Sequence, residues 1–155
     1  MPQALVQTLS ACLGSAAFSV LFNIKGKKLF LIGAGGALSW IFYLLVREFS
    51  GGSALAGLFF STIAVALLAE ISARIIKTPV ITLLVPMLIP LIPGGDLYRS
   101  MTFLVQNDMA SFADSSKFTA SEAGSIALGL LLVTTLMQII NKTLGYIHQK
   151  KKKNG

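Results

Sequence analysis

The chain has 155 residues, of which 54% are hydrophobic and only 12% are charged, and its formal net charge is +7. Soluble domains usually carry about 25% charged residues, so this chain lacks the polar surface that a soluble domain needs. Its basic residues flank apolar stretches or form the run of lysines at 150–153, and no basic stripe carries interleaved aromatics. This distribution favours a membrane protein over a nucleic-acid-binding protein.

Five apolar stretches follow one another along the chain, most of them long enough to cross a membrane as helices. We therefore predict an all-α integral membrane protein with one transmembrane domain, residues 1–145, and a basic cytoplasmic tail, residues 146–155. The predicted spans are residues 4–22, 29–46, 54–76, 80–93 and 123–140. No basic segment precedes the first span as it would in a secretory signal, so we expect that span to be retained.

Small residues recur at four-residue spacing in the first two predicted spans. Ala11, Ser15 and Ser19 do so in the first, and Gly33 and Ala37 in the second. Such spacing lets helix backbones approach closely where lipid supplies no hydrophobic driving force. We predict that these faces pack helix against helix, within the chain or against a second subunit.

The third predicted span carries two charged residues near its end, Glu70 and Arg74. A glutamate four residues before an arginine is the favourable order for a pair on one helix face. The pair fits a snorkelling salt bridge at the membrane interface. It fits equally a carboxyl group that takes up and releases a proton during transport, which makes Glu70 and Arg74 the candidates for proton coupling.

The fourth predicted span lies in VPMLIPLIPGGDLYR, residues 85–99, which contains three prolines and two glycines. Each proline removes the helical hydrogen bond to the carbonyl four residues earlier, so Thr82, Pro86 and Ile89 are expected to present unpaired carbonyls on one face. Broken helices of this kind hold substrate and coupling ion in many secondary transporters. A kinked packing helix is the alternative interpretation.

We predict a substrate path through this break, in which the two glycines allow a turn with positive φ and the first polar cluster follows directly. Its residues are Pro86, Pro90, Pro93, Gly94, Gly95, Asp96, Tyr98 and Arg99. Residues 94–122 form the longest stretch outside the predicted spans. Asp114 and Glu122 are expected to lie in this outer linker and to cap the last helix.

The distribution of Lys and Arg predicts the orientation. If the C-terminus is cytoplasmic, five crossings place the N-terminus outside. The inner loops and tail then hold Lys25, Lys27, Lys28, Arg74, Lys77, Lys142 and lysines 150–153, whereas the outer loops hold Arg47, Arg99 and Lys117. This excess of basic residues on one side follows the positive-inside rule.

Residues typical of catalytic sites do not form a recognisable pattern. The sequence offers no metal-ligand spacing, no nucleophile with a base and no phosphate-binding loop, and GAGG at residues 33–36 lies mid-span. The single cysteine, Cys12, excludes an intrachain disulfide, and His148 adjoins the lysine run. We expect no enzyme activity, no cofactor, no metal site and no nucleic-acid partner.

Two segments and the five-span layout resemble the threonine/serine exporter family. The segments are LFNIKGKKL, residues 21–29, and EISARIIKTPVITLLVPMLIPLIPGGDLY, residues 70–98. The chain is similar in particular to the small membrane subunit that some members encode separately, and the resemblance covers nearly its whole length. The most specific positions are Pro86, Pro90, Pro93, Gly94 and Tyr98.

The resemblance implies a subunit of a secondary transporter in the cell membrane that exports threonine and serine and needs a larger partner subunit. A proton gradient is the expected driving force, because no nucleotide-binding element is present. Some two-subunit members of the family are associated with dicarboxylates, so a succinate-type exporter subunit is one alternative. A non-transporting scaffold or assembly subunit is another, and a homo-oligomer is left open.

Overall fold

A computed structural model describes residues 2–153, with side chains described for residues 3–143. The chain forms six α-helices and a short 3₁₀ helix, and no strand occurs in the described part. The helices are α1 Pro2–Leu21, α2 Lys27–Phe49, α3 Ala54–Ile75, α4 Val80–Leu88, the 3₁₀ helix Ile89–Leu91, α5 Gly94–Val105 and α6 Met109–Lys153. The predicted all-α fold class is confirmed.

Four of these helices, α1, α2, α3 and α6, are long and apolar enough to cross a membrane. A fifth crossing arises if α4 and the 3₁₀ helix are counted with α5 as one span, although the two halves are bent by 56°. The fourth predicted span is therefore broken, as expected from its prolines and glycines.

Two side-chain hydrogen bonds show how the long helices are oriented: α1, α3 and α6 run towards the same end of the bundle, and α2 runs the opposite way. Lys28 Nζ at the start of α2 donates to Thr78 Oγ1 at 2.9 Å, next to the start of α4. Arg74 Nη2 near the end of α3 donates to Asn141 Oδ1 of α6 at 2.8 Å. One end of the bundle, hereafter the basic end, therefore holds loops 22–26 and 76–79 and residue 141. The N-terminus and loop 50–53 lie at the opposite end.

Small residues make the α1–α2 interface as close as their spacing predicts. Ala11, Ser15 and Ser19 are all buried. A Cβ atom built on Gly36 of α2 would lie only 2.6 Å from the Cβ of Ser15, so glycine is the residue that fits there. The predicted packing role of this α1 face is confirmed within the chain itself.

A different face of the same α2 segment packs on the broken element. A Cβ atom on Gly35 would lie 2.7 Å from Sδ of Met87, which is fully buried in α4. The GAGG sequence therefore holds α1 on one side and α4 on the other. The glycines serve helix packing, which agrees with the absence of a nucleotide-binding context in the sequence.

The predicted outer linker is a helical hairpin. Residues 94–105 form α5, and α6 begins at Met109, well before the predicted start at residue 123. Asp108 caps α6 by accepting a hydrogen bond from the N–H of Ser111 at 3.1 Å, and hydrogen bonds to Ser111 lower the pKa of Asp108. The expectation that Asp114 and Glu122 lie in a linker and cap the last helix is wrong. Residues 94–122 are too polar for the apolar pattern to predict a membrane span there. In the structure, the first part of α6 packs along α5.

Helix α6 also continues through residue 145, where the basic tail was predicted to begin. The side chains of residues 144–153 and the last two residues lie outside the described part of the chain. The boundary between transmembrane domain and tail therefore stays a prediction.

The close contact at Gly36 predicts a size-dependent loss of stability. Gly36→Ala should lower the free energy of unfolding by about 1–3 kcal/mol, because the new methyl group must displace Ser15. Gly14→Ala is the matched control, since a Cβ there meets no atom within 4 Å. Alanine at position 14 should be neutral or stabilising by up to about 1 kcal/mol. Denaturant unfolding in detergent, followed by circular dichroism, measures both; equal effects would contradict the packing interpretation.

The orientation prediction can be tested at the two ends of the bundle. Gly26 and Gly52 have φ of 72° and 91°, so cysteine at either would be strained. We therefore choose Lys25→Cys and Ser50→Cys, in a Cys12→Ala background. A membrane-impermeant maleimide applied to intact cells should label position 50, and position 25 only after permeabilisation. The reverse pattern would place the N-terminus in the cytoplasm.

Candidate functional site

At the break between α4 and α5, new backbone hydrogen bonds replace most of those that the prolines remove. The carbonyl of Pro86 accepts from the N–H of Ile89, and the carbonyl of Ile89 accepts from Ile92 at 3.2 Å. The chain tightens into a 3₁₀ helix, in which each carbonyl pairs with the third residue onward instead of the fourth. The expectation of unpaired carbonyls is therefore wrong at Pro86 and Ile89.

The two glycines after the break do not use positive φ. Gly94 and Gly95 begin α5, and the glycines with positive φ in the described chain are Gly26, Gly51 and Gly52. Pro93, with φ −75° and ψ 56°, ends the 3₁₀ segment and starts the new helix direction. The expected glycine turn is thus wrong in this conformation. Both glycines are exposed, with open space where a Cβ would lie.

A groove lies beside the break, between α1, α2 and the 3₁₀ helix. Its volume is about 340 Å³, and Ile89 and Pro90 form one wall. The polar atoms come from α1 and α2: Ser10 lines the groove, and Trp40 Nε1 donates to Gln7 Oε1 at 3.4 Å. A volume of this size lies at the lower end of the range for small-molecule sites, roughly 300–1,000 Å³.

The polar side chains that follow the break face in different directions. Pro86 is buried in α4, whereas Pro90, Pro93 and Asp96 are partly buried. Tyr98 is 74% exposed and the Arg99 side chain is 75% exposed. Arg99 Nη1 lies 3.8 Å from Asp96 Oδ1.

Asp96 belongs to a row of polar side chains between α5 and α6, which we call the α5–α6 seam. The seam consists of Asp96, Ser100, Ser115, Thr119 and Glu122. Ser100 Oγ is buried and lies 2.9 Å from Ser115 Oγ and 3.5 Å from Thr119 Oγ1. Glu122 is only 4% exposed, and its Oε2 atom has no hydrogen-bond partner.

The architecture is therefore a bundle of apolar helices with one broken element, a small groove at the break and a buried acidic seam beyond it. The model of the threonine/serine exporter family (ThrE) matches residues 7–136. The chain belongs to the threonine/serine exporter family. It is thus a membrane protein of a transporter type, and the match includes the break, the groove and the whole seam. Comparisons with curated proteins and with solved structures found no match.

Glu70 and Arg74 of this exporter-family chain lie at the basic end. Arg74 Nε is 3.7 Å from Glu70 Oε2, and the Glu70 side chain is 14% exposed against 44% for Arg74. Arg74 also donates a hydrogen bond to Asn141, so its guanidinium group links α3 to α6. Asn141 and Glu122 are 19 residues apart along α6, which corresponds to roughly 28 Å. The pair and the seam therefore lie at opposite ends of the exporter-family bundle.

The seam is the part of the site that sequence reasoning missed. Ser115, Thr119 and Glu122 are spaced four and three apart, and Asp96 and Ser100 are four apart, so each set lies on one helix face. This polar periodicity was available in the sequence. It was overlooked because residues 94–122 were interpreted as a linker. Among the described residues, no group of three or more His, Cys, Asp or Glu could hold a metal ion.

The bend should matter for export more than for assembly. Replacing Pro90 and Pro93 together by alanine restores two N–H donors, which favours a straight helix by up to about 3 kcal/mol per proline. We expect export per assembled complex to fall at least about tenfold, the equivalent of 1.4 kcal/mol. Pro79→Ala, just before α4 and outside the bend, is the control and should export normally. Normal flux from the double variant would exclude the break as a substrate path.

Proposed function

We propose that this chain is a subunit of a secondary transporter that exports threonine and serine across the cell membrane. In this proposal it works with a larger partner subunit of the same family, and a proton gradient drives export. The bent α4–α5 element beside a groove of about 340 Å³, in a chain of the exporter family, is the observation that supports this function. The predicted substrate-path residues lie within that element, between residues 86 and 99.

The need for a partner is supported by polar groups on the outer side of α1. Gln7 and Ser10 are exposed, although α1 is a candidate membrane span. An amide facing lipid has no water to hydrogen-bond with, and such a group costs several kcal/mol when it is unsatisfied. The groove beside Pro90 opens on this same face. A second subunit that covers α1 would close the groove and shield Gln7 from lipid.

The charge of the described polar groups favours an amino acid over a dicarboxylate. The seam offers two carboxyl groups, and the groove offers hydroxyl and amide groups that suit an ammonium group. Arg99 is mostly exposed and pairs with Asp96, and Arg74 lies at the other end of the bundle, where Glu70 and Asn141 engage its guanidinium. A dicarboxylate needs two cationic contacts at its site. Succinate export therefore stays the alternative, and a scaffold that binds the partner without altering flux is the second alternative.

Glu70 is the proposed proton carrier at the basic end, which the positive-inside rule places in the cytoplasm. Its carboxyl group is mostly buried and pairs with Arg74 at 3.7 Å. A carboxyl group in this position is able to pass a proton to the cytoplasm after substrate leaves, provided that the ion pair opens.

The proposal predicts that flux requires both subunits and follows the substrate's charge. Proteoliposomes with this chain alone, with its larger partner alone, and with both are loaded with labelled threonine, serine or succinate. Efflux of threonine and serine should exceed that of succinate at least about tenfold, and only with both subunits present. Glu70→Gln should lower efflux driven by a pH gradient and leave assembly intact.

Three results would each overturn part of this proposal. Higher succinate than threonine efflux would favour the dicarboxylate alternative. Full efflux by the larger chain alone would leave this chain as a scaffold. Glu70→Gln with unchanged efflux at every pH gradient would leave Glu70 as half of an interface salt bridge.

A further inference from the structure

Glu122 is a buried carboxyl group without a basic partner in the described chain. It lies in the first third of α6, is 4% exposed, and one of its two oxygens, Oε2, has no hydrogen-bond partner. Burying an ionised carboxylate without a partner costs several kcal/mol even after the surroundings relax. Such groups normally become neutral or bind a counter-ion. The position of Glu122 therefore requires a ligand that carries positive charge.

The charged groups of α5 and α6 do not supply that charge. Asp96 lies one turn before Ser100 of α5, and Ser100 contacts Ser115 and Thr119 of α6. Asp96 is therefore the charged residue of α5 that lies level with Glu122, and it is negative. Arg99 is turned towards Asp96 and is three-quarters exposed. On α6 itself, Asp114 and Lys117 form an exposed ion pair at 3.5 Å, one to two turns before Glu122.

The remaining helix packed on α6 is α3, and it carries no charge near Glu122. Its charged residues, Glu70 and Arg74, lie at the basic end. Gly129 of α6 packs against Phe59 of α3, with a built Cβ 3.0 Å from the Phe59 carbonyl oxygen. Glu122 lies seven residues before Gly129, or roughly 10 Å towards the opposite end, level with the start of α3.

A partner subunit has little access to this carboxyl group. Glu122 is buried by its own chain, so a basic side chain from another protein would have to displace α5 or α3 to contact it.

Two carboxyl groups that face each other cannot both stay ionised at low cost, and sharing one proton resolves both the burial and the repulsion. A proton is also the ligand small enough to reach the site without opening the hairpin.

We propose that Glu122 and Asp96 form a proton-binding carboxyl pair, through which this chain takes up a proton at the end of the bundle opposite Glu70. The protonated member donates its O–H to the other carboxylate, so the pair binds and releases one proton with no other change in bonding. Ser100, Ser115 and Thr119 continue the row of hydroxyl groups from the pair along the hairpin. The pair rests on the proposed function for its role in export, whereas proton binding itself is independent of transport.

Infrared difference spectroscopy tests proton binding directly. The full chain in lipid nanodiscs is titrated from about pH 9 to about pH 6, a range in which ordinary Asp and Glu side chains stay almost fully ionised. A carbonyl band of a protonated carboxylic acid should appear within this range in the unaltered chain. It should be absent in Glu122→Gln, and its midpoint should change in Asp96→Asn. Asp114→Asn, an exposed carboxyl group on the same helix, is the matched control and should leave the band unchanged.

The outcomes separate this inference from the proposed function. A band that persists in Glu122→Gln, or the absence of any such band in the unaltered chain, overturns the carboxyl pair. If Glu122→Gln loses its helical circular dichroism signal, the test rests on Asp96→Asn instead. An unchanged midpoint of the carboxylic-acid band in Asp96→Asn excludes the pairing of the two carboxyl groups. In the proteoliposome assay, Glu122→Gln should lose the dependence of efflux on the pH gradient while Asp114→Asn keeps it. Efflux that is absent from the unaltered complex would refute the proposed export, and the infrared result would still stand by itself.

Discussion

Every backbone N–H and C=O group at membrane depth must find a partner within the protein, and this constraint shapes the centre of the fold. A continuous helix would satisfy it automatically, but Pro86, Pro90 and Pro93 prevent one. The 3₁₀ helix Ile89–Leu91 resolves the conflict by pairing carbonyls with N–H groups three residues onward. The bend that follows is the geometric result of this repair. It turns α5 away from α4 by 56° and brings it alongside α6.

Close packing around the break depends on glycine. Gly35 and Gly36 are adjacent in α2 and point roughly 100° apart around its axis, so α1 and α4 both approach the α2 backbone at the same level. Met87, whose flexible side chain fills irregular space well, occupies the surface that Gly35 leaves open. Helix α4 and the 3₁₀ helix are thus held between α1, α2 and α3, whereas α5 packs chiefly on α6.

Acidic groups lie at both ends of the bundle in different surroundings. Glu70 has a guanidinium partner in its own helix and is near the basic end. Glu122 has a second carboxyl group as its neighbour and no basic group facing it among the described residues. Glu70 and Glu122 thus differ in their neighbours as well as in the end of the bundle at which they lie.

The sequence by itself determined the all-α membrane fold, the break in the fourth span and the close α1–α2 face. These features depend on composition, on proline chemistry and on small-residue spacing, which act locally along the chain. It also determined the family, through LFNIKGKKL and the proline-rich segment. The tertiary structure alone decided how the carbonyls of Pro86 and Ile89 are satisfied and that Gly94 and Gly95 are helical. It also decided that residues 94–122 fold into a hairpin. That hairpin buries Glu122 against α5, because the polar faces of two marginally apolar helices are stable only when they pack on each other. Such pairing joins residues far apart in sequence, and no local pattern specifies it.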